Sequence, residues 1–243
     1  MQWSLECGMI VRRTGDGPRV VWVHGLGESS VSFESVVAAM PGFAHVLVDL
    51  PGYGRSPWPA AAMSLDEVAD NLVGWLPEDA YVIGHSMGGV LATLVAERTR
   101  VRGIVNIDGN ISIGDCVFSA KAAAIADPAV SLATVREQVL RDSLARPELR
   151  GYFAAMTFAM PEMFHRHAHD LVDMSRAETL APRIAKLPSL FVAGVPDGIC
   201  AASREMLDAA GARWVGVEPA GHWVYLDQTD AFVREVTGFL RAS

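Results

Sequence analysis

Two patterns of apolar residues alternate along the chain. Continuous, largely β-branched runs occupy residues 19–24 (RVVWVH), 44–49 (AHVLVD), 80–84 (AYVIG), 103–107 (GIVNI), 189–193 (SLFVA) and 213–217. Runs without polar alternation suit strands buried on both faces. Between them apolar residues recur at helical spacing. Ser64 and Glu67 form a capping box ahead of a helix over 65–76, with Leu65, Val68, Ala69, Leu72 and Leu76 on one face. Residues 86–98 and 230–240 read as helices by the same spacing. Strands alternating with helices imply right-handed βαβ units. The expected fold is therefore α/β, a mostly parallel central sheet with helices on both faces.

One stretch breaks the rhythm. From 111 to 187 no strand pattern appears, while helical pieces follow one another at 117–126, 132–145, 147–158 and 161–175, punctuated by Pro128, Pro147, Pro161 and Pro182. Such a segment cannot belong to the sheet. It is expected to sit over the strand ends as a helical cap, dividing the chain into a core of 1–110 and 188–243 and a lid of 111–187.

Composition narrows the class. Hydrophobic residues make up 51% of the 243 and charged residues 20%, the opposite of the balance that keeps chains disordered. No apolar run reaches the 18 or so residues of a membrane span, and the first fifteen residues lack the basic and apolar regions of a secretory signal. The net charge of −8, without a basic cluster to offset it, argues against nucleic acid as a partner. Cys7, Cys116 and Cys200 are odd in number and widely spaced, which suits reduced and mostly buried thiols. A cytoplasmic protein acting on a small molecule is expected; oligomeric state is left open.

Candidate chemistry centres on Gly84-His85-Ser86-Met87-Gly88-Gly89, between a strand and a helix. A G-x-S-x-G string alone is a weak signal, but at a sharp strand-to-helix turn it lifts the serine hydroxyl clear of the sheet and aims the next N–H, that of Met87, at whatever is attacked. A serine hydroxyl needs a base. Of seven histidines, His222 follows the last strand, in a loop that opens beside the serine turn. His24 reads as structural, and His85 is expected to point away from the serine. His165, His167 and His169 alternate along one helix with no carboxylate to complete a metal set; they read as a solvated or groove-lining face, with zinc well behind. The acid that orients the base is assigned to Asp197, after the strand 189–193, with Asp108 as the alternative one strand earlier. The second oxyanion donor is expected from Leu26 in His24-Gly25-Leu26-Gly27, beside that of Met87.

With these pieces in place the chain resembles a serine-nucleophile α/β-hydrolase, similar to compact lidded carboxylesterases. The resemblance is carried by His24-Gly25-Leu26-Gly27, Asp49-Leu50-Pro51-Gly52-Tyr53-Gly54-Arg55-Ser56, Gly84–Gly89, Asp197 and Gly221-His222-Trp223. It implies an acyl-Ser86 intermediate, no cofactor or metal, and a helical lid between the sixth and seventh strands. It also argues against dehalogenases and epoxide hydrolases, which place aspartate where Ser86 stands.

Met156, Phe158, Met160 and Met163 on the lid, with Trp223 beside the histidine, are the expected substrate contacts, favouring an uncharged or apolar group. Arg150, Arg166 and Arg176 keep an anionic one open. Ester hydrolysis leads the readings. The same triad could cleave a C–C bond, lactone, amide or thioester. Cofactor-free perhydrolysis and a binding-only receptor stand behind, the last disfavoured because a pure binder has no use for a complete triad and two donors.

Overall fold

The computed structural model describes residues 2–242, apart from the side chain of Glu148. Eight strands form one sheet in the order β1-β2-β4-β3-β5-β6-β7-β8, with β1 Gln2–Glu6, β2 Met9–Thr14, β3 Arg19–Val23, β4 Ala44–Asp49, β5 Tyr81–His85, β6 Gly103–Ile107, β7 Ser189–Asp197 and β8 Trp214–Gly221. From β4 to β8 every pairing is parallel; β1 and β2 join antiparallel at one edge.

Each predicted strand is present. β1 and β2, by contrast, escape the sequence pattern. Arg12 and Arg13 interrupt β2, and β1 lies exposed at the sheet edge with Trp3 and Leu5 in solvent. An edge hairpin of this kind needs no continuous apolar run.

The helices are α1 Glu34–Ala38, α2 Leu65–Trp75, α3 Met87–Arg98, α4 Val117–Ala123, α5 Pro128–Ala145, α6 Arg150–Met156, α7 Pro161–Arg176, α8 Leu180–Ile184, α9 Ala201–Ala210, α10 Val224–Asp227 and α11 Thr229–Ala242. The capping box of α2 forms as its sequence predicts: Glu67 N–H donates to the Ser64 hydroxyl at 3.2 Å, and Ser64 N–H to the Glu67 carboxylate at 2.7 Å. Helix α3 is buried over nine consecutive residues because it crosses the middle of the sheet. Only glycine permits that approach: a Cβ on Gly88 would stand 2.1 Å from the Val23 carbonyl oxygen, and one on Gly84 1.9 Å from that of Gly88.

Helices α4–α8 fill the chain between β6 and β7, with no strand among them. Helices α6 and α7 dock onto the loops at the carboxyl ends of the strands, while α8 packs against α3, with Arg183 paired to Glu97. Met160 N–H donates to the Gly52 carbonyl at 2.7 Å, Leu65 N–H to the Asp170 carboxylate at 2.9 Å, and the Tyr152 hydroxyl to the Leu26 carbonyl at 3.0 Å. Buried at the centre of this contact, the Tyr53 hydroxyl is hydrogen-bonded with Nδ1 of His167 at 2.8 Å. His167 is thus an internal anchor, not part of the solvated face its spacing suggested; His165 and His169 share a face, with ring centres 4.6 Å apart. No helix among the described residues is long and apolar enough to cross a membrane.

Candidate active site

Because β3, β5, β6, β7 and β8 run parallel, their carboxyl ends deliver five loops to one place. Ser86 occupies the turn after β5 with φ 53° and ψ −118°, a left-handed conformation strained for a residue with a Cβ. Its N–H donates to the Ile107 carbonyl at 2.8 Å, fixing the turn against β6. Met87 opens α3, where the first N–H groups have no helical acceptor. Neither the Met87 N–H nor that of Leu26 meets an acceptor among the described residues.

His222 follows β8 and shares a cleft with Ser86, Gly25, Leu26, Asn110, Tyr152 and Trp223. The cleft holds only about 30 Å³ of free space, the share of about one water in the liquid. A larger cavity of about 540 Å³ shares His222, Trp223, Phe118 and Asp115 with it and continues along Val117, Ala145, Arg146, Leu149 and Ile199. Burial holds His222 down to about 3; the His85 ring and Arg146 push the same way, and Glu28 opposes them. At neutral pH the imidazole is therefore the free base.

The carboxylate facing this base belongs to Asp108. Its Oδ2 stands 3.8 Å from His222 Nδ1 and has no hydrogen-bond partner, while its Oδ1 accepts from Gly194 N–H at 3.1 Å and Ile199 N–H at 3.3 Å. Burial pushes this carboxyl well above the usual aspartate range, and those two N–H groups pull it back. Asp197, to which the sequence assigns the acid, is exposed at the end of β7, where the backbone pairs with Gly221. Its loop serves Asp108 instead. A Cβ on Gly198 would lie 2.4 Å from Asp108 Oδ2, so that glycine makes room for the carboxylate. β7 continues four residues beyond the predicted 193, through a register shift between Gly194 and Pro196, and this carries Asp197 into the ladder.

The lid residues expected to touch substrate stand apart from both cavities. Met156 and Met163 are fully buried, packing toward Gly27 and Gly52; Met160 is nearly so, and Phe158 is 60% exposed. None of the four lines either cavity, whereas Trp223 lines both. Apolar side chains on a helix cannot be sorted into packing and lining by spacing alone, since both face inward. Arg166 and Arg176 pair with Asp170 and Asp173 along α7.

Two features went unread in the sequence. His85 does not turn away; its ring centre stands 4.7 Å from that of His222, and it lines the cleft. Glu28, one residue beyond His24-Gly25-Leu26-Gly27, is a buried carboxylate within the same cleft. Its place immediately after a glycine-flanked loop was the available signal. Among the described residues no group of three or more His, Cys, Asp and Glu side chains is arranged to hold a metal ion. The thiols differ from the buried set expected: Cys7 is exposed, Cys200 half-buried and Cys116 buried, all three free.

This fold, with a strained serine at the β5–α3 turn, is that of an α/β-hydrolase. Residues 20–235 match the model of the alpha/beta hydrolase family, and the chain belongs to it. It is 27% identical to a pimeloyl-[acyl-carrier protein] methyl ester esterase of Photorhabdus laumondii over 90% of this chain and 91% of that one. It is 42% identical to the protein of the same name from Vibrio vulnificus, over 34% of this chain and 32% of that one. The matched stretch thus spans about a third of the length of that relative. In structure it resembles a thermophilic esterase from Thermogutta terrifontis (TM-score 0.79, 21% identity, 96% and 93% of the two chains) and the enol-lactonase of Burkholderia xenovorans (TM-score 0.76, 22% identity, 99% and 100%).

Proposed function

We propose that the protein is a serine hydrolase that cleaves a carboxylic ester through an acyl-Ser86 intermediate. The observation that carries this reading is the strained Ser86 sharing one tight cleft with a neutral His222, behind which lies the partnerless Oδ2 of Asp108. Nδ1 of His222 faces the acid, which leaves Nε2 for the serine. As Ser86 Oγ bonds to the acyl carbon, its proton passes to His222 Nε2, and the Leu26 and Met87 N–H groups hold the oxyanion. The proton then moves to the alcohol oxygen as the C–O bond breaks. Water, deprotonated by His222, releases the acid and restores Ser86. Asp108, not Asp197, is the acid in this reading. Helices α4–α8 act as the lid.

The cavity beside His222 supports an apolar chain as one substituent of the ester: Val117, Phe118, Leu149, Ile199 and Trp223 line it, and 540 Å³ is within the usual range for ligand sites. The relatives named above carry an activity on a methyl ester of an acyl chain, which agrees with ester cleavage. The same first steps would serve a lactone, thioester, amide or C–C bond. Hydrolysis of p-nitrophenyl esters of increasing chain length, with Ser86→Ala in parallel, tests the reading. Turnover by the natural protein that vanishes in Ser86→Ala is expected, and undiminished turnover by the variant would sink it.

A further inference from the structure

Glu28 has no place in that reaction, yet it is among the most enclosed charges in the molecule, with 2% of its surface exposed. Both of its oxygens are engaged. Oε2 accepts the Gly25 N–H at 2.8 Å and faces Nδ1 of His85 at 3.0 Å; Oε1 accepts the Trp223 indole N–H at 2.7 Å. Burial would raise this carboxyl, but the His85 ring and the two N–H donors bring it down to about 2. It is therefore ionised, and its loss would strand three polar groups in the interior.

The three groups it grips are not scattered. Gly25 precedes Leu26, His85 precedes Ser86, and Trp223 follows His222. Each is the chain neighbour of a residue the proposed reaction uses; Gly25 and Trp223 lie in the loops after β3 and β8, and His85 ends β5. His85 adds a fourth link, since its Nε2 lies 2.9 Å from the His222 carbonyl oxygen. The Gly25 carbonyl accepts from Glu28 N–H at 3.2 Å and from Nδ1 of His24 at 2.8 Å. In a trans peptide the following N–H points the opposite way, so these bonds also set the direction of the Leu26 N–H. A Cβ on Gly25 would stand 3.0 Å from Glu28 Oε2 and 3.2 Å from His85 Nδ1, so the glycine is what lets the carboxylate close in.

We infer that Glu28 is a positioning residue: one buried carboxylate that sets the donor loop, the nucleophile turn and the histidine loop relative to one another. The inference rests on the serine-hydrolase reading above. A displacement of about 1 Å at a reacting group costs about 10²-fold in rate, so the effect belongs in kcat more than in KM.

The test uses Glu28→Gln and Trp223→Phe in the whole chain. Active sites are counted by covalent labelling with a fluorophosphonate, thermal midpoints are recorded alongside, and kcat and KM are measured on the best p-nitrophenyl ester. Gln offers one accepting oxygen where Glu offers two, so the clamp is only partly kept. The expected result is a fall in kcat per labelled site of about 10²-fold for Glu28→Gln, with its KM within about threefold, and of about tenfold for Trp223→Phe. The double variant should be no slower than Glu28→Gln alone, because both act on one clamp. If either variant lost only thermal midpoint or labelled fraction, with wild-type kcat per labelled site, Glu28 would be a folding residue and the inference would fall. Should Glu28→Gln not fold, Glu28→Asp, which keeps the charge on a side chain too short to reach all three groups, is judged by the same criterion. Turnover persisting in Ser86→Ala would point to failure of the serine reading itself, a different result from either.

Discussion

Asp108 Oδ2 stands 3.8 Å from His222 Nδ1, and the backbone N–H groups of Gly194 and Ile199 hold the other oxygen of the same carboxylate. Asp108 itself has φ 45°, so two residues of the site, Asp108 and Ser86, are in strained left-handed turns at the ends of adjacent strands. Such strain persists only where surrounding bonds enforce it; β6 supplies one for Ser86 through the Ile107 carbonyl, and β7 one for Asp108 through that of Val192.

The acid assignment makes opposite predictions for two aspartates. Asp108→Asn should lose about 10³–10⁴ in kcat, since an amide neither fixes the imidazole tautomer nor stabilises its cation. Asp197→Asn should stay within a few-fold of the natural protein. Steady-state kinetics on both variants checks this, and the reverse ranking would return the acid to Asp197.

Gly198→Ala should act on the site without touching a reacting group. Its Cβ would sit 2.4 Å from Asp108 Oδ2 and 2.5 Å from the Gly194 carbonyl oxygen. Overpacking of this order costs about 1–3 kcal/mol, and the displaced carboxylate should lower kcat as well. Urea denaturation together with kinetics measures both. A variant with unchanged stability and kcat would show that the loop gives way freely.

Acid should weaken the fold before it reaches ordinary carboxylates. Burial depresses the pKa of His24, His45 and His167, the last to about 3, from an unfolded value near 6.5. Below 6.5 the unfolded chain binds protons that the native one refuses, so stability falls as pH drops. His167→Gln removes one such group and should flatten the slope near pH 5 by about 1.4 kcal/mol per pH unit. Urea midpoints at pH 7.5, 6 and 5 report it; equal slopes in both proteins would contradict the prediction.

Substrate length is open to adjustment at the cavity rim. Ala145 is exposed at the end of α5 and lines the larger cavity. Ala145→Trp should fill part of it without disturbing the core, raising KM for an octanoate ester about tenfold while leaving acetate nearly unchanged. Equal changes in both would place the chain elsewhere.

How much of this could be read from residues alone depended on range. Continuous apolar runs marked the six parallel strands β3 to β8, and glycine spacing marked the serine turn, because both are local consequences of backbone sterics. That Asp108, and not Asp197, faces His222 Nδ1 has a non-local origin. Asp197's position after a strand matches the expected place for the acid, but β7 extends into its ladder with β8 and takes Asp197 into pairing with Gly221, and no local pattern encodes that extension. Glu28 is a similar case: its sequence neighbourhood is plain, and its meaning comes from His85 and Trp223, 57 and 195 residues away. Met156 and Met163 are buried away from both cavities for another reason, since a side chain that packs and one that lines a pocket carry the same hydrophobic signal.

The helices between β6 and β7 leave and re-enter the sheet at neighbouring strands, whose backbones run about 4.8 Å apart. Because the two strands are parallel, the segment leaves at the carboxyl end of β6 and returns at the amino end of β7, a crossover that spans the length of the strands, while the strands themselves pair directly through Ile107 and Val192. A foreign helical segment could be spliced in its place without rethreading a strand. The first junction has to fall after Gly109, whose N–H is held by the Asn106 side chain at 2.9 Å. Cut there, the chain would keep Ser86, Asp108 and His222 with the sheet, together with the Ile199 and Trp223 wall of the larger cavity, while Val117, Phe118, Ala145 and Leu149 of the opposite wall would leave with the insert.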